Sequence, residues 1–275
     1  MPTPKKMTNR IQQAFEKVKA KGEKALIPYI MAGDPSLEET ETLVLTLAES
    51  GADLIELGVP FSDPIADGPV IQQAAERALK SGTTLTRILG TVKSIREKTD
   101  VPLIFMSYYN TVMAMGLENF CARAVEAGID GLIVPDLPPE ESDALYEAAQ
   151  QAGGPVMIFL LAPTSTSQRR KEVIKRTKGF IYYVSLTGIT GAQLTDLTQV
   201  KKNVQAIQKA SKKPVAVGFG IATPEQAGRV GQFADGVIIG SALVRKIAEL
   251  HQETSLILHI KETAQSLKTA LSHPN

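Results

Sequence analysis

The segment DLIELGVPFSDPIADGP, residues 53–69, decides the fold class because it places an acid inside an apolar run. Residues 54–59 are apolar apart from Glu56, which predicts a short strand buried on both faces. Side chains alternate along a strand, so Leu54, Glu56 and Gly58 share one face. The other face carries Ile55, Leu57 and Val59. Burial on both faces is typical of a parallel sheet covered by helices.

Glu56 is the first candidate for chemistry. A carboxyl group in such a strand loses hydration, which favours its protonated form and raises its pKa. A carboxyl group with a pKa nearer neutrality suits general acid/base catalysis. A buried glutamate in an ion pair or a hydrogen-bonded network is the alternative, and the strand alone does not choose between them.

The same unit, an apolar strand followed by helix, repeats along the chain. Predicted strands cover residues 25–33, 54–59, 101–109, 131–136, 155–163, 180–185, 214–220 and 236–241. Two helices, at about 70–81 and 85–98, follow strand 2, and one long final helix begins near Ala242. Eight β/α units predict one closed (β/α)8 TIM barrel. An open doubly wound sheet is the alternative, but it usually has fewer strands and a GxGxxG turn after the first, which is absent here.

The ends of the chain complete this prediction. Residues 8–21 place Ile11, Phe15 and Val18 at helical spacing, which predicts an extra N-terminal helix suited to plug one end of the barrel. The chain has 275 residues and no linker or low-complexity segment, so residues 1–275 are expected to form a single barrel domain.

Composition excludes several classes of function. The net charge of +1 gives no field that would favour nucleic acid or an acidic membrane. One cysteine, Cys121, excludes an internal disulfide, and the three histidines all lie near the C-terminus. No histidine-based active site or metal site is therefore expected upstream. No signal peptide or membrane-spanning run is visible, so a cytoplasmic location is expected.

The active site of such a barrel lies at the carboxyl ends of its strands, in the βα loops. Two of these loops are unusually long, from Pro60 to about Pro69 and over residues 186–196. The first contains a second acid, Asp67. Near strands 6, 7 and 8 lie the glycine-containing segments 188–191, 218–220 and 240–241. Without lysine or arginine, they predict either simple turns or a backbone-amide cradle for phosphate.

Several stretches resemble the tryptophan synthase alpha chain family, in order along nearly the whole chain. They are PYIMAGDP, DLIELGVPFSDPIADGP, LIVPDLP, SLTGITG, GFGIATPEQ and GVIIGSALV. The resemblance implies cleavage of indole-3-glycerol phosphate to indole and glyceraldehyde 3-phosphate. It implies Glu56 as the acid/base and Asp67 as the carboxylate that accepts a hydrogen bond from the indole N–H.

The resemblance also assigns ligand positions. Phosphate binding is implied for Gly191, Gly220, Gly240 and Ser241. Contacts with the rest of the substrate are implied for Tyr29, Tyr182, Thr190 and Phe219. From the residues alone, core packing is the alternative for each aromatic side chain. The resemblance implies neither metal nor organic cofactor in this subunit.

A partner is implied as well. In this family the alpha chain binds a beta chain that uses pyridoxal phosphate to join indole to serine, in an α2β2 assembly with an internal tunnel. Contacts with it are implied for Pro60 and Asp63 in the loop after strand 2. Without the resemblance, Asp63 is a solvated turn acid in Ser62-Asp63-Pro64.

Other functions stay open at this stage. A histidine-electrophile isomerase is disfavoured by the lack of upstream histidines, and a lysine-based indole-glycerol phosphate synthase by the lack of lysine near the acids. A stand-alone indole-3-glycerol phosphate lyase of the same fold is hardly separable by sequence. A non-catalytic scaffold barrel is disfavoured by the presence of both Glu56 and Asp67.

Overall fold

The computed structural model describes residues 9–184, 197–218 and 220–272. In these ranges nine parallel strands form one sheet, in the order β5-β4-β3-β2-β1-β9-β8-β7-β6. The strands are β1 (Ala25–Met31), β2 (Ile55–Gly58), β3 (Leu103–Met106), β4 (Gly131–Ile133), β5 (Val156–Met157), β6 (Leu160–Leu161), β7 (Ile181–Val184), β8 (Val215–Gly218) and β9 (Gly236–Ile239).

The sheet closes through the segment that joins its two edge strands. Strands β5 and β6 are separated only by Ile158 and Phe159, and both of these residues bond to neighbouring strands. The Ile158 N–H donates to the Leu132 carbonyl at 2.9 Å, and the Phe159 carbonyl accepts from the Tyr182 N–H at 3.3 Å. The predicted strand 155–163 is therefore this one interrupted strand. The eight-stranded TIM barrel is confirmed.

Twelve α-helices lie in the described part of the chain. They are α1 (Arg10–Ala20), α2 (Leu37–Glu49), α3 (Pro69–Lys80), α4 (Leu85–Arg96), α5 (Tyr109–Met115), α6 (Leu117–Ala127), α7 (Asp143–Ala152), α8 (Ser167–Arg176), α9 (Thr198–Ser211), α10 (Pro224–Gly231), α11 (Ser241–Leu250) and α12 (Leu256–Ser272). None of them is long and apolar enough to cross a lipid bilayer.

Two of these helices differ from the sequence prediction. Helix α5 was not predicted, because its first residue was assigned to the preceding strand. The carboxylate of Asp136 accepts the Tyr109 N–H at 3.0 Å and so holds the start of this helix. The single long final helix is wrong: the chain forms α11 and α12, separated by the polar residues 251–255. The apolar pattern restarts only at Leu256.

Eight of the helices form the outer layer, namely α2, α4, α6, α7, α8, α9, α10 and α12. Contacts run from α10 through α12, α2, α4 and α6 to α7, and between α8 and α9. Helix α1 lies outside this layer. Helices α3, α5 and α11 are the first helices after β2, β3 and β9, so they begin on the side where the strands have their carboxyl ends. We call this end of the barrel its mouth.

The barrel has two apolar layers, and the alternation along β2 separates them. Ile55, Leu57 and Val59 belong to the layer between sheet and helices, whereas Leu54 belongs to the barrel interior. The apolar face of α1 enters that interior layer, with the Phe15 ring centroid 5.4 Å from that of Phe180. The predicted N-terminal plug is therefore confirmed.

An ion-pair network ties this plug to the barrel floor. Asp130, only 6% exposed, accepts the Leu103 N–H at 3.0 Å. It also accepts from Arg10 Nη1 at 2.9 Å and Arg96 Nη2 at 3.0 Å. Three donors, two of them cationic, thus replace water around the Asp130 carboxylate, as burial of this charge requires.

Candidate active site

Glu56 lies in the barrel interior, between Tyr29 of β1 and Ile104 of β3 in the strand register. Its side chain is fully buried, and neither carboxyl oxygen has a hydrogen-bond partner among the described residues. Burial alone raises its pKa from 4.5 to about 8. Of the two alternatives for this residue, the structure therefore supports a proton-carrying carboxyl group over an ion pair.

Asp67 lies in the loop between β2 and α3 and is held by a tyrosine from the segment that joins β3 to α5. Tyr108 Oη donates to Asp67 Oδ2 at 3.1 Å and accepts from the Ala66 N–H at 2.9 Å. Burial raises the pKa of Asp67 to about 6, and the hydrogen bond from Tyr108 opposes that rise. Asp67 is therefore largely ionised at neutral pH while Glu56 is largely protonated.

The loop folds around the ring of Tyr108. Phe61, at the start of the loop, stacks on that ring with centroids 5.2 Å apart and an interplanar angle of 28°. Ala66 and Asp67 bond to its hydroxyl group, so both ends of the loop contact one side chain. Sequence reasoning missed both Phe61 and Tyr108. The available signal was the Tyr108-Tyr109 pair at the end of a predicted strand.

Tyr29 and Tyr182 share the interior with the two acids. Each is 6% exposed, and burial is the largest cause that raises the pKa of each hydroxyl. The charges of Glu56 and Asp67 raise both values further, which places all four groups in one electrostatic cluster. The two carboxyl groups and the two tyrosines predicted for the site thus lie close enough to influence one another electrostatically.

Two glycines make room for these tyrosine hydroxyl groups. A Cβ atom added at Gly58 would clash with the hydroxyl of Tyr29, and one added at Gly218 would lie 2.5 Å from that of Tyr182. Both glycines face the interior at the carboxyl ends of their strands. Any larger residue there would push a tyrosine out of its position in the site.

The predicted phosphate positions that are described lie next to this cluster. Gly240 precedes α11 without any side-chain cap, and Ser241 is the exposed first residue of that helix. In contrast, α10 is closed by a capping box of Thr223 and Gln226. The first amides of α11 therefore keep their capacity to bind an anion. A Cβ atom at Gly240 would lie 3.6 Å from Tyr29 Cβ, so this end adjoins the acids through β1.

Gly220 follows β8 with φ +71°, and a Cβ atom added there would meet nothing within 4 Å. Its backbone is therefore approachable from the mouth. The other predicted positions, Thr190, Gly191 and Phe219, lie outside the described residues, as does the long loop over residues 186–196. Among the described residues no group of three or more His, Cys, Asp or Glu side chains is placed to hold a metal ion.

The two predicted partner contacts differ in exposure. Pro60 is buried within the chain, whereas Asp63 is exposed and accepts from Ser62 Oγ at 2.6 Å. The same loop exposes Ile65, at 85% of its surface. Beside it is an open groove of about 730 Å³, whose lining includes Phe61, Thr84, Asn110, Met115 and Arg123. None of the four clustered groups lines this groove, which shares only Phe61 with the loop that carries Asp67.

Comparison with known proteins identifies the family. The family model for the tryptophan synthase alpha chain matches residues 15–272. The chain belongs to the tryptophan synthase alpha chain family. It is therefore an enzyme subunit, and the resemblance drawn from the motifs is confirmed.

Relatives and solved structures agree with the family assignment. A tryptophan synthase alpha chain of Geotalea daltonii is 51% identical over 254 residues, covering 90% of this chain and 96% of that one. The tryptophan synthase subunit alpha of Legionella pneumophila superposes with a TM-score of 0.90 at 41% identity, covering 96% and 98%. A Mycobacterium tuberculosis tryptophan synthase chain superposes with a TM-score of 0.88 at 34% identity, covering 96% of this chain and 98% of that one. The alpha-chain barrel is thus shared along almost the whole sequence.

Proposed function

We propose that this chain is the alpha subunit of tryptophan synthase and cleaves indole-3-glycerol phosphate to indole and glyceraldehyde 3-phosphate. The reaction is a lyase step of tryptophan biosynthesis. The observation that carries the proposal is Glu56, a fully buried carboxyl group without a described partner, whose pKa is raised to about 8. Such a group holds a proton at neutral pH in the position where a reacting substrate needs one.

Glu56 performs both proton transfers of the retro-aldol reaction. Its protonated form donates to ring carbon 3 of the indole, which turns the ring into an electron sink. The resulting carboxylate then removes the proton of the adjacent side-chain hydroxyl. The C–C bond breaks, its electrons return to the ring, and the hydroxyl carbon becomes the aldehyde. Glu56 ends with the proton it began with, so no other reactant is consumed.

Asp67 stabilises the charge that this transfer creates. Protonation of the ring places positive charge on the indole nitrogen, and an ionised carboxylate that accepts the N–H hydrogen bond lowers its energy. With its pKa raised only to about 6, Asp67 stays largely ionised at pH 7, and Tyr108 fixes its orientation through the 3.1 Å hydrogen bond. Tyr29 and Tyr182 form the walls beside the ring.

The phosphate group is proposed to bind at the other side of β1. Gly220 and the uncapped start of α11, at Gly240 and Ser241, supply backbone amides and the positive end of a helix. Gly191 completes this set by family resemblance, and Thr190 and Phe219 are the remaining proposed substrate contacts. The cleavage itself is acid/base chemistry, so we propose that this subunit needs no cofactor.

The proposed partner is the tryptophan synthase beta chain, which would carry pyridoxal phosphate, in an α2β2 assembly in the cytoplasm. The rim beside the catalytic loop supports it: Ile65 is 85% exposed, Asp63 is exposed, and the adjacent groove measures about 730 Å³. Together the exposed Ile65 and Asp63 and the groove offer this partner an apolar contact, a charged contact and a concave surface on the same rim.

The test is indole release from indole-3-glycerol phosphate by the purified chain, with and without a beta chain. The expected result is release by the wild-type chain that increases when the beta chain is added. Full-speed release that the beta chain leaves unchanged would instead support a stand-alone lyase. No release under either condition would contradict the proposal and leave a non-catalytic barrel.

A further inference from the structure

Helix α3 connects the two ends of the proposed site. It is the first helix after β2, from which the loop with Asp67 separates it, and it does not join the outer layer of helices. Its main contacts are with β1 and with α11, the helix that begins at the proposed phosphate site. At its own N-terminus, Gln72 Nε2 donates to the Asp67 carbonyl at 2.9 Å, which attaches the helix to the loop that carries the acid.

The face of α3 toward the barrel is made of small residues. Ala74, Ala75 and Ala78 are at most 1% exposed and pack in one cluster with Tyr29, Met31 and Val244. Because these side chains are short, α3 lies close to both β1 and α11. Such a surface offers few projecting side chains to stop the helix from sliding or tilting, so its position has to be fixed in another way.

An ion pair supplies that fixation. Arg77 of α3 makes a bidentate ion pair with Asp34. Its Nε donates to Oδ1 and its Nη2 donates to Oδ2, each at 2.8 Å. The side chain of Asp34 is 3% exposed and lies in the turn after β1. A bidentate pair on a buried carboxylate restricts direction as well as distance. Ser81, just after the helix, adds a bond from its hydroxyl to the Gly33 carbonyl at 3.2 Å.

We propose that Arg77 and Asp34 are positioning residues that act through α3 to set Asp67 relative to the phosphate end of the site. This inference rests on the proposed function. Arg77 lies a little over two turns, or about 12 Å, from the start of α3, so a tilt of about 5° about Arg77 displaces that start by about 1 Å. A displacement of about 1 Å in a catalytic group can cost roughly 10²-fold in rate.

The chain contains a matched control at the opposite end of the barrel. Arg10 has a side chain 31% exposed and pairs with Asp130, whose side chain is 4% exposed; the corresponding values for Arg77 and Asp34 are 30% and 3%. Arg10 belongs to the N-terminal plug, at the end of the barrel away from Asp67. Loss of either arginine removes an ion pair to a buried aspartate of similar exposure, with two bonds for Arg77 and one for Arg10. Only loss of Arg77 releases the helix beside Asp67.

The experiment compares R77Q, R77K, D34N and the control R10Q in complex with the beta chain. It measures kcat for indole release and, by titration, the Kd for sn-glycerol 3-phosphate. The stoichiometry of that titration gives the concentration of folded sites, to which kcat is normalised. For R77Q we expect kcat to fall by about 10- to 100-fold while Kd stays within about twofold, with R77K retaining more activity because it keeps one contact. R10Q should lose thermal stability but keep kcat within about twofold of wild type.

Two results would overturn the positioning role. One is R77Q with wild-type kcat and only a lower melting temperature, which is the behaviour of a purely structural pair. The other is a loss of phosphate affinity as large as the loss of kcat. If R77Q does not fold, D34N and R77K give the same comparison. Absence of indole release by the wild-type complex would instead contradict the proposed function, and the positioning role with it.

Discussion

Glu56 and Asp130 are both buried acids of the barrel, Glu56 in the interior toward the mouth and Asp130 at the floor, and they differ in the groups that face them. Asp130 accepts hydrogen bonds from two arginines and a backbone amide. Glu56 has no described partner for either oxygen. Asp34, the third buried carboxylate of the described chain, resembles Asp130 because it is paired with Arg77.

The presence or absence of cationic partners separates acids that stabilise the fold from acids suited to proton transfer. A buried carboxylate that meets cations is stable in its ionised form and ties elements of the fold together. A buried carboxyl group without partners keeps its proton instead, and the fold loses stability when that proton leaves. Asp130 at the floor thus holds elements of the fold together, whereas Glu56 toward the mouth is the acid that the proposed mechanism requires to carry a proton.

The largest expected effect follows from removing the proton of Glu56. Glu56→Gln keeps the volume of the side chain but cannot transfer a proton, so kcat for indole release should fall by roughly 10²- to 10⁴-fold. The circular dichroism spectrum should remain that of the wild type. Retention of more than about a tenth of the wild-type kcat would show that Glu56 is not the acid/base.

The stability of the fold should depend on pH through the same residue. The folded pKa of about 8 lies above the ordinary value of 4.5, so between these limits the folded state holds a proton that the unfolded state has lost. The contribution of Glu56 therefore destabilises the fold as pH rises from 4.5 to 8, by up to about 5 kcal/mol. Urea titrations of wild type and Glu56→Gln should diverge over this interval, with the variant more stable at the upper end. Parallel curves would contradict the raised pKa.

Substitution of Asp130 at the floor should lower the stability of the fold and leave kcat unchanged. Asp130→Ala leaves Arg96 buried without its carboxylate, so the free energy of unfolding should fall by about 3 kcal/mol. The value of kcat per folded molecule should stay at the wild-type level, because Asp130 lies away from Glu56 and Asp67. Urea denaturation and an indole-release assay on the same preparation measure the two quantities. A loss of kcat without a loss of stability would contradict a purely structural role for Asp130.

A smaller effect is expected from the hydroxyl group of Tyr108. Its hydrogen bond lowers the pKa of Asp67, so Tyr108→Phe should raise that pKa above about 6. Asp67 acts as an anion, and the acidic limb of the kcat profile should therefore move to higher pH, with a loss of a few fold at pH 7. A uniform loss of rate at all pH values would mean that Tyr108 only supports the loop.

The sequence predicted the local parts of this comparison and missed the long-range ones. Alternation along β2 put Glu56 on the face opposite Ile55, Leu57 and Val59, because the period of a strand depends only on its own residues. The pairing of Asp34 with Arg77 and of Tyr108 with Asp67 joins residues about 40 positions apart. No local pattern encodes such contacts, because they depend on how α3 and the loops after β1 and β3 come together. The break between α11 and α12 was missed because the polar residues 251–255 contain neither glycine nor proline to mark the end of a helix.

The central claim is that Glu56 carries a proton at neutral pH, and an infrared titration tests it most directly. The carboxylic-acid C=O band present in the wild type and absent from Glu56→Gln reports the protonated form of this one residue. Burial should give this band a titration midpoint at about 8, so it should still be present at pH 7. A midpoint near the ordinary value of 4.5 would show Glu56 ionised at neutral pH and would contradict the account.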